Sequence, residues 1–514
     1  MTNKNNIPKI PAEKFRFVGD EGRLHDHKFE TKQVSYFRDA FNRFCRNKSS
    51  VTAAIIIICL VLYAIIVPFA CANNYTNVPR DTTYLQYTKL LPKNQLCIDM
   101  GWDFWDGAEE QTLGEPNFMA IKAIGVETGM EVIKSEPVIT EDAKGKLSYT
   151  SRIDSYVANG FVYLNLTTEE YEAIQDWQDE TGIQVIYPAS ADKKATDANI
   201  WYQANKKGVA KLDKEGNFIA NYRDNGRDGD YDSLRIEGDP GIEDPEASDR
   251  YRYAYITGTE ENMSFKCRVF KYTYFQYRYG FEPAFLFGTN DLGQDILTRL
   301  ASGARFSLIF AICISAVNLF IGAVYGAIEG YYGGAVDMLM ERFTDILARI
   351  PFMVVTTLFQ LHLAKKVGPV FSLFFAFVVT GWIGMASTTR MQFYRYKGQE
   401  YVLAARTLGA KDLRIMFRHI FPNSLGTIIT SSVLVIPGVI FQESTLTYLG
   451  IVNLDSAEMT SVGTMLANGR QYLMTYPHII LFPALFIALL MVSFNLFGNG
   501  LRDAFNPSLR GVEE

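Results

Sequence analysis

Residues 51–71 read Val51-Thr-Ala-Ala-Ile-Ile-Ile-Ile-Cys-Leu-Val-Leu-Tyr-Ala-Ile-Ile-Val-Pro-Phe-Ala-Cys71, with no charged side chain in the run. A helix rises about 1.5 Å per residue, so this length crosses the ~30 Å hydrocarbon core of a bilayer and sets the class as a membrane protein. A window of about 19 residues finds further candidates at 306–328, 346–364, 367–387, 426–447 and 477–498. The first, second and last of the whole set are the most apolar. Span 346–364 contains Arg349 and His362, and 426–447 contains Pro437 and Glu443. Such groups are costly against lipid, so both spans are expected to pack inside a bundle. Six spans put both ends of the chain on one side.

Outward from these runs, the chain divides by polarity. A mean hydropathy near zero over 514 residues averages apolar spans with a polar, acidic insert at 72–285. Arg43, Arg46 and Lys48 precede the first span, and only Arg80 follows it closely. Arg390, Arg395, Lys397, Arg406, Lys411, Arg414 and Arg418 crowd the stretch after the fourth. Basic residues favour the cytoplasmic side, so both regions, the tail 1–50 and the tail 499–514 are expected there, with 72–305 outside. The insert holds about 23 Lys and Arg against about 36 Asp and Glu, a balance of about −13 that leaves about +7 elsewhere in a chain of net −6. Base inside and acid outside is a topological signal and gives no reason to invoke nucleic acid.

About 50 polar residues precede the first span, so it is expected to stay as an anchor rather than be cleaved as a leader. Cys71 at its outer end reads as an interfacial cysteine more readily than as a lipidation site. Cys97 and Cys267 lie near the two ends of the insert, where either a loop-closing disulfide or two buried thiols would fit. No Cys or His set has zinc-ligand spacing.

In 34–45, Phe37, Phe41 and Phe44 recur at helical spacing beside Arg38 and Arg43, predicting an amphipathic helix on the inner membrane surface or packed on the bundle. The insert reads as an α+β domain. Phe161–Leu166 alternates as a strand, Thr168–Glu180 is a capped helix, Gly182–Tyr187 is a strand, and Tyr251–Ile256 and Phe265–Tyr279 are aromatic, β-prone runs. Lys211–Asp249 reads as loop or hairpins. Within it Asp228, Asp230, Asp232 and Asp239 have part of a calcium-loop spacing, but Ser233 replaces the turn glycine, so a solvated acidic loop is the expectation. Residues 286–305 predict an interfacial amphipathic helix leading into the second span. Gly322, Gly326 and Gly330, at four-residue intervals, predict close helix packing.

The most regular polar stretch is Glu400-Tyr-Val-Leu-Ala-Ala-Arg-Thr-Leu-Gly-Ala-Lys-Asp-Leu-Arg-Ile-Met-Phe-Arg-His-Ile-Phe-Pro-Asn423. It reads as helix, glycine, helix. Gly409 suits a cap with positive φ, Pro422 is expected to stop the second helix before the fifth span, and the small Ala404 and Ala405 leave room for a partner. This stretch resembles the EAA loop of ABC importer permeases of the oligopeptide and dipeptide family, with Leu403 in place of the naming Glu and Phe421 in place of the usual Leu. The resemblance extends through Phe287–Leu297, Gly303–Leu308, Gly330–Asp337, Arg342–Asp345 and Glu443–Gly450, and covers 30–72 and 286–510. The insert is the departure.

The resemblance implies an all-α bundle of six transmembrane helices, the type I permease fold, carrying an extracellular α+β insert between helices 1 and 2. It implies a C-type permease in a bacterial cell membrane, pairing as a heterodimer with a second permease. It further implies two ATPase subunits, an extracellular solute-binding lipoprotein, a peptide substrate and lipid contact. The chain has no Gly-x-x-x-x-Gly-Lys-Ser/Thr motif, so ATP and Mg are expected on the ATPases and no catalysis or cofactor in this chain. Residues 401–408 are expected to dock on the ATPase. Glu400, Leu403, Ala404, Ala405, Arg406, Gly409, Arg414, Arg418 and Pro422 are the coupling candidates, the arginines meeting acidic partners or serving topology and headgroups. His419 and Glu443 are expected to be structural. Nickel or another small solute is an alternative cargo, and a membrane-anchored receptor with a sensing ectodomain an alternative function.

Overall fold

The computed structural model describes residues 36–70, 84–143, 145–191, 198–223, 251–259, 262–455 and 459–505. The acidic loop with Asp228, Asp230, Asp232 and Asp239, and Cys71, lie outside the described residues. Two leading helices, α1 (Tyr36–Arg46) and α2 (Lys48–Ala70), precede the insert. α1 packs on the bundle through Ala40 and Phe44, which meet Phe497, Leu501 and Ala504, while Phe41 on its other side is exposed.

Among the described residues the insert forms two antiparallel sheets. Strands β1 (Ala108–Gly114), β2 (Val138–Glu141) and β3 (Leu147–Asp154) order as β1-β3-β2, with Gln111 opposite Ser151 and Ile139 opposite Tyr149. The second sheet centres on a strand at Asn262–Phe270, paired along one edge with Phe161–Thr167 and along the other with Ile186–Tyr187 and Ala254–Thr259. The helix Thr168–Thr181 starts on a capping box, Thr167 accepting from the Glu170 amide and Glu170 returning to the Thr167 amide. Isolated bridges, Tyr202 to Ala220 and Leu212 to Phe218 among them, make the described part of 198–223 a run of hairpins.

Two strand readings are corrected here, and the two readings of the cysteines are resolved. The strand at 182–187 shortens to its last two residues, and 265–279 is a strand only to Phe270. From Lys271 to Tyr279 the chain is helical, because Tyr272, Phe275 and Tyr279 fall on one helical face and enter one core with Phe161 and Phe270. Cys97 and Cys267 are both buried and unbridged. Cys267 is packed in a core with Leu166, Tyr171 and Val269, and burial pushes its thiol well above the ordinary value.

Below the insert, described helices at Lys48–Ala70, Ile296–Tyr332, Pro369–Lys397, Asp412–Tyr448 and His478–Phe505 are long and apolar enough to cross a membrane. A further pair, Gly334–Ala348 and Phe352–His362, qualifies jointly but is bent by 72°. The amphipathic helix expected over 286–305 leads into the second span without a break, as read, but it starts only at Ile296. Residues up to Gln294 turn through Gly288 and Gly293, and Asp295 caps the amides of Leu297 and Thr298 to start one helix that runs to Tyr332. Gly322, Gly326 and Gly330 face the helix Ile383–Lys397. A Cβ at Gly322 would lie 2.7 Å from Met385 Cβ, one at Gly330 2.7 Å from Phe393 Cβ, and one at Gly326 would strike the Ala386 carbonyl.

Candidate coupling site

The stretch 400–423 leaves the bundle and returns. It is anchored from beneath by a small apolar core in which Val402, Ile415, Met416 and Ile420 meet Ala327, Tyr331 and Phe393 of two long helices. A short helix, Glu400–Thr407, begins it. Gly409 has φ +81°, the left-handed region that only glycine enters freely, and turns the chain. Its amide donates to the Arg406 carbonyl at 3.0 Å, and the Ala410 amide to that of Ala405 at 3.1 Å. The chain then resumes as Asp412–Ile415 and a π turn, Met416–Ile420.

Two expectations change. Pro422 does not stop a helix. It is the second residue of Phe421–Tyr448, and the helical run from Asp412 to Tyr448 is continuous across it. The wide π turn just before it accommodates the change of ladder. Ala405 is turned inward and buried, while Ala404 is exposed, so the small pair serves two sides rather than one.

Polar contacts hold the ends. Tyr331 Oη donates to Asp412 Oδ1 at 2.6 Å, and Arg406 reaches Tyr331 Oη at 3.5 Å with its guanidinium 5.8 Å from the ring. Asn423 Nδ2 donates to the His419 carbonyl at 2.8 Å and to Tyr401 Oη at 3.2 Å. Partial burial pushes the Tyr401 phenol up from its ordinary value. Glu400, Arg414 and Arg418 are exposed. Beside the loop, Arg390 is a clamp. It donates to Asp337 at 2.6 and 3.0 Å and to Glu341 at 2.9 Å through both outer nitrogens, and Glu329 is 3.6 Å away. Lys397 Nζ donates to the Gly330 carbonyl at 2.9 Å. Arg390, read in sequence as one more basic residue, thus fixes the bent pair against the helix that feeds the loop.

Among the charged residues of the loop, large apolar side chains also stand exposed. Leu408 is 88 % exposed, Leu413 67 % and Phe417 51 %, with Leu403 also exposed. Counting basic residues misses these three; their signal was an apolar residue in a charged segment. Large apolar side chains exposed on a loop whose other side is packed are of the kind a docking surface uses. Glu443, by contrast, is fully buried, and Ser307 Oγ donates to it at 3.1 Å across two spans.

The profile of the family described as "Binding-protein-dependent transport system inner membrane component" matches residues 319–511, which include the loop. That of "N-terminal TM domain of oligopeptide transport permease C" matches 35–92. Most of the insert falls between them. The oligopeptide transport system permease protein OppC of Bacillus subtilis is 43% identical over 224 residues, 44% of this chain and 72% of that protein. The dipeptide transport system permease protein DppC of the same organism is 39% identical over 225 residues, 44% and 69% of the two chains. OppC of Haemophilus influenzae is 38% identical over 224 residues, 44% and 70%.

Proposed function

Because this chain belongs to the binding-protein-dependent transport permeases, among their oligopeptide and dipeptide members, we propose that it forms a peptide path with a second permease and is driven by two ATPases docked on 400–423. Two of the most similar relatives carry oligopeptides and one dipeptides by name, which supports a peptide cargo delivered by an extracellular binding lipoprotein. Six spans, with the bent pair as the third, put both ends in the cytoplasm and the insert outside, in keeping with the basic flanks of the first span and of the loop. Nucleotide and magnesium belong to the ATPases. This chain supplies a lever, not a reaction.

The observation that carries this reading is the set of exposed apolar residues on a loop whose opposite side is tied into the helices. The rigid underside, through Val402, Ile415 and Ile420, would pass a push on Leu408 and Leu413 to the helices that bear them. Co-expression with its partner subunits and ATP-driven uptake of a labelled peptide into vesicles tests it. Leu408→Asp places a charge in the contact, so uptake is expected to fall ~30-fold, the effect of losing a contact worth about 2 kcal/mol. Undiminished uptake would sink the proposal.

A further inference from the structure

The insert meets the membrane helices through an aromatic projection at 95–105. A short helix, Gln95–Asp99, is capped by Asn94, whose side chain accepts from the Leu96 amide at 3.1 Å. The Asn94 amide donates to the Trp105 carbonyl at 2.7 Å and the Trp102 amide to the Cys97 carbonyl at 2.9 Å, so the loop closes on itself. Arg152 holds its far limb, donating to the Asp103 carbonyl and to Asp106, each at 2.9 Å. On this fixed frame Leu96 is 68 % exposed, Phe104 62 % and Trp102 56 %, with Met100 beside them. Large apolar side chains left exposed so close together in the chain point to a surface that covers them.

The patch does not stand alone. Phe104 stacks on Trp105 at 4.9 Å, Trp105 lies 6.1 Å from Phe482, and Phe482 stacks on Phe287 at 4.1 Å. Phe482 is in the second turn of the span His478–Phe505, about 6 Å along its axis from the first residue. From there Leu481, Leu485, Leu489, Val492 and Leu496 run down that helix as an exposed apolar stripe. Phe482 itself packs on the bundle core beside this stripe, so the contact places the projection at the depth where the span leaves the hydrocarbon and where tryptophan is favoured. Asp99 and Asp103 are the exposed charges within it, so attraction to anionic headgroups does not drive the contact.

We propose that 95–105 is a membrane anchor that seats the insert in the outer headgroup and upper acyl layer, with Trp102, Phe104, Leu96 and Met100 in lipid. This goes beyond the transport role and rests on the chain being membrane-embedded with the insert on the outer side, as proposed above. The test uses the full chain in phosphatidylcholine vesicles and compares it with Trp102→Phe, so that the difference in fluorescence reports Trp102. Lipid brominated high on the acyl chain is expected to quench that component by more than half, aqueous iodide to leave it nearly unchanged, and added anionic lipid to make no difference. A second chain, Trp102→Phe with Phe104→Trp, is expected to behave the same way. Quenching by iodide but not by bromolipid, the mark of a water-facing loop, would overturn the proposal. Protection from both, the mark of a protein partner covering the patch, would overturn it as well.

Discussion

Arg268 has no contact with solvent, yet it is charged, and everything around it answers that charge. Its outer nitrogens meet Glu127 at 2.6 and 2.7 Å, its Nε donates to the Ala198 carbonyl at 2.5 Å, and the Phe161 ring lies 3.8 Å from the guanidinium. Tyr222 donates to the same carboxylate at 2.8 Å. Such a pair ties the central strand to the helix Glu115–Thr128 and to the hairpins beyond. Removing one partner leaves the other charged and buried, which costs about 3–5 kcal/mol. Arg268→Met is therefore expected to make the insert of the full chain unfold at lower temperature and yield faster to protease. Adding Glu127→Gln, which removes the stranded charge, should restore part of the loss. Wild-type resistance in Arg268→Met would contradict this. Nothing in the sequence marks the pair, since the two residues are far apart and neither lies in a motif.

At the scale of elements, the glycine face of Ile296–Tyr332 shows what patterning can give. Four-residue spacing in an apolar run is a local signal, and the approach of Met385, Ala386 and Phe393 follows from it. Gly326→Val should drive a side chain into the Ala386 carbonyl and destabilise the bundle by about 1–3 kcal/mol or more, lowering its melting temperature in detergent. Gly384→Ala, whose Cβ would meet nothing within 4 Å, should be neutral. If the two variants melt alike, the packing account fails. The errors have equally physical causes. Tyrosine and phenylalanine favour strands on average, so 271–279 read as β until tertiary contacts with Phe161 and Phe270 selected its helical face. Proline at 422 read as a terminator because its position in the first turn of a new helix depends on the π turn before it. Ala405 could not be separated from Ala404 without knowing which side the core lay on.

For the whole molecule, hydropathy located the apolar helices because the bilayer imposes a length that sequence must meet, but three of them run ten or more residues beyond the apolar stretch at one end, at Ile296, Lys397 and Asp412. The bent pair at 334–362 blurred that rule, since neither half is long enough alone. The coupling loop was legible as an object but not as a surface. Its glycine turn could be read from residue type, whereas Leu408, Leu413 and Phe417 gain meaning only once Val402, Ile415 and Ile420 are seen to occupy the inside. The insert, with few motifs and, among the described residues, three separate apolar clusters, was legible as a mixed fold and no further.

The central claim is that this exposed face is where an ATPase bears on the chain. A photo-cross-linking amino acid at position 408, in the complete assembly in membranes, tests it most directly, with position 474 as control because Met474 is 93 % exposed and precedes the last span. The account predicts an ATPase adduct from 408 and none from 474. An ATPase adduct from 474, or an assembly active in peptide uptake that gives none from 408, would contradict it.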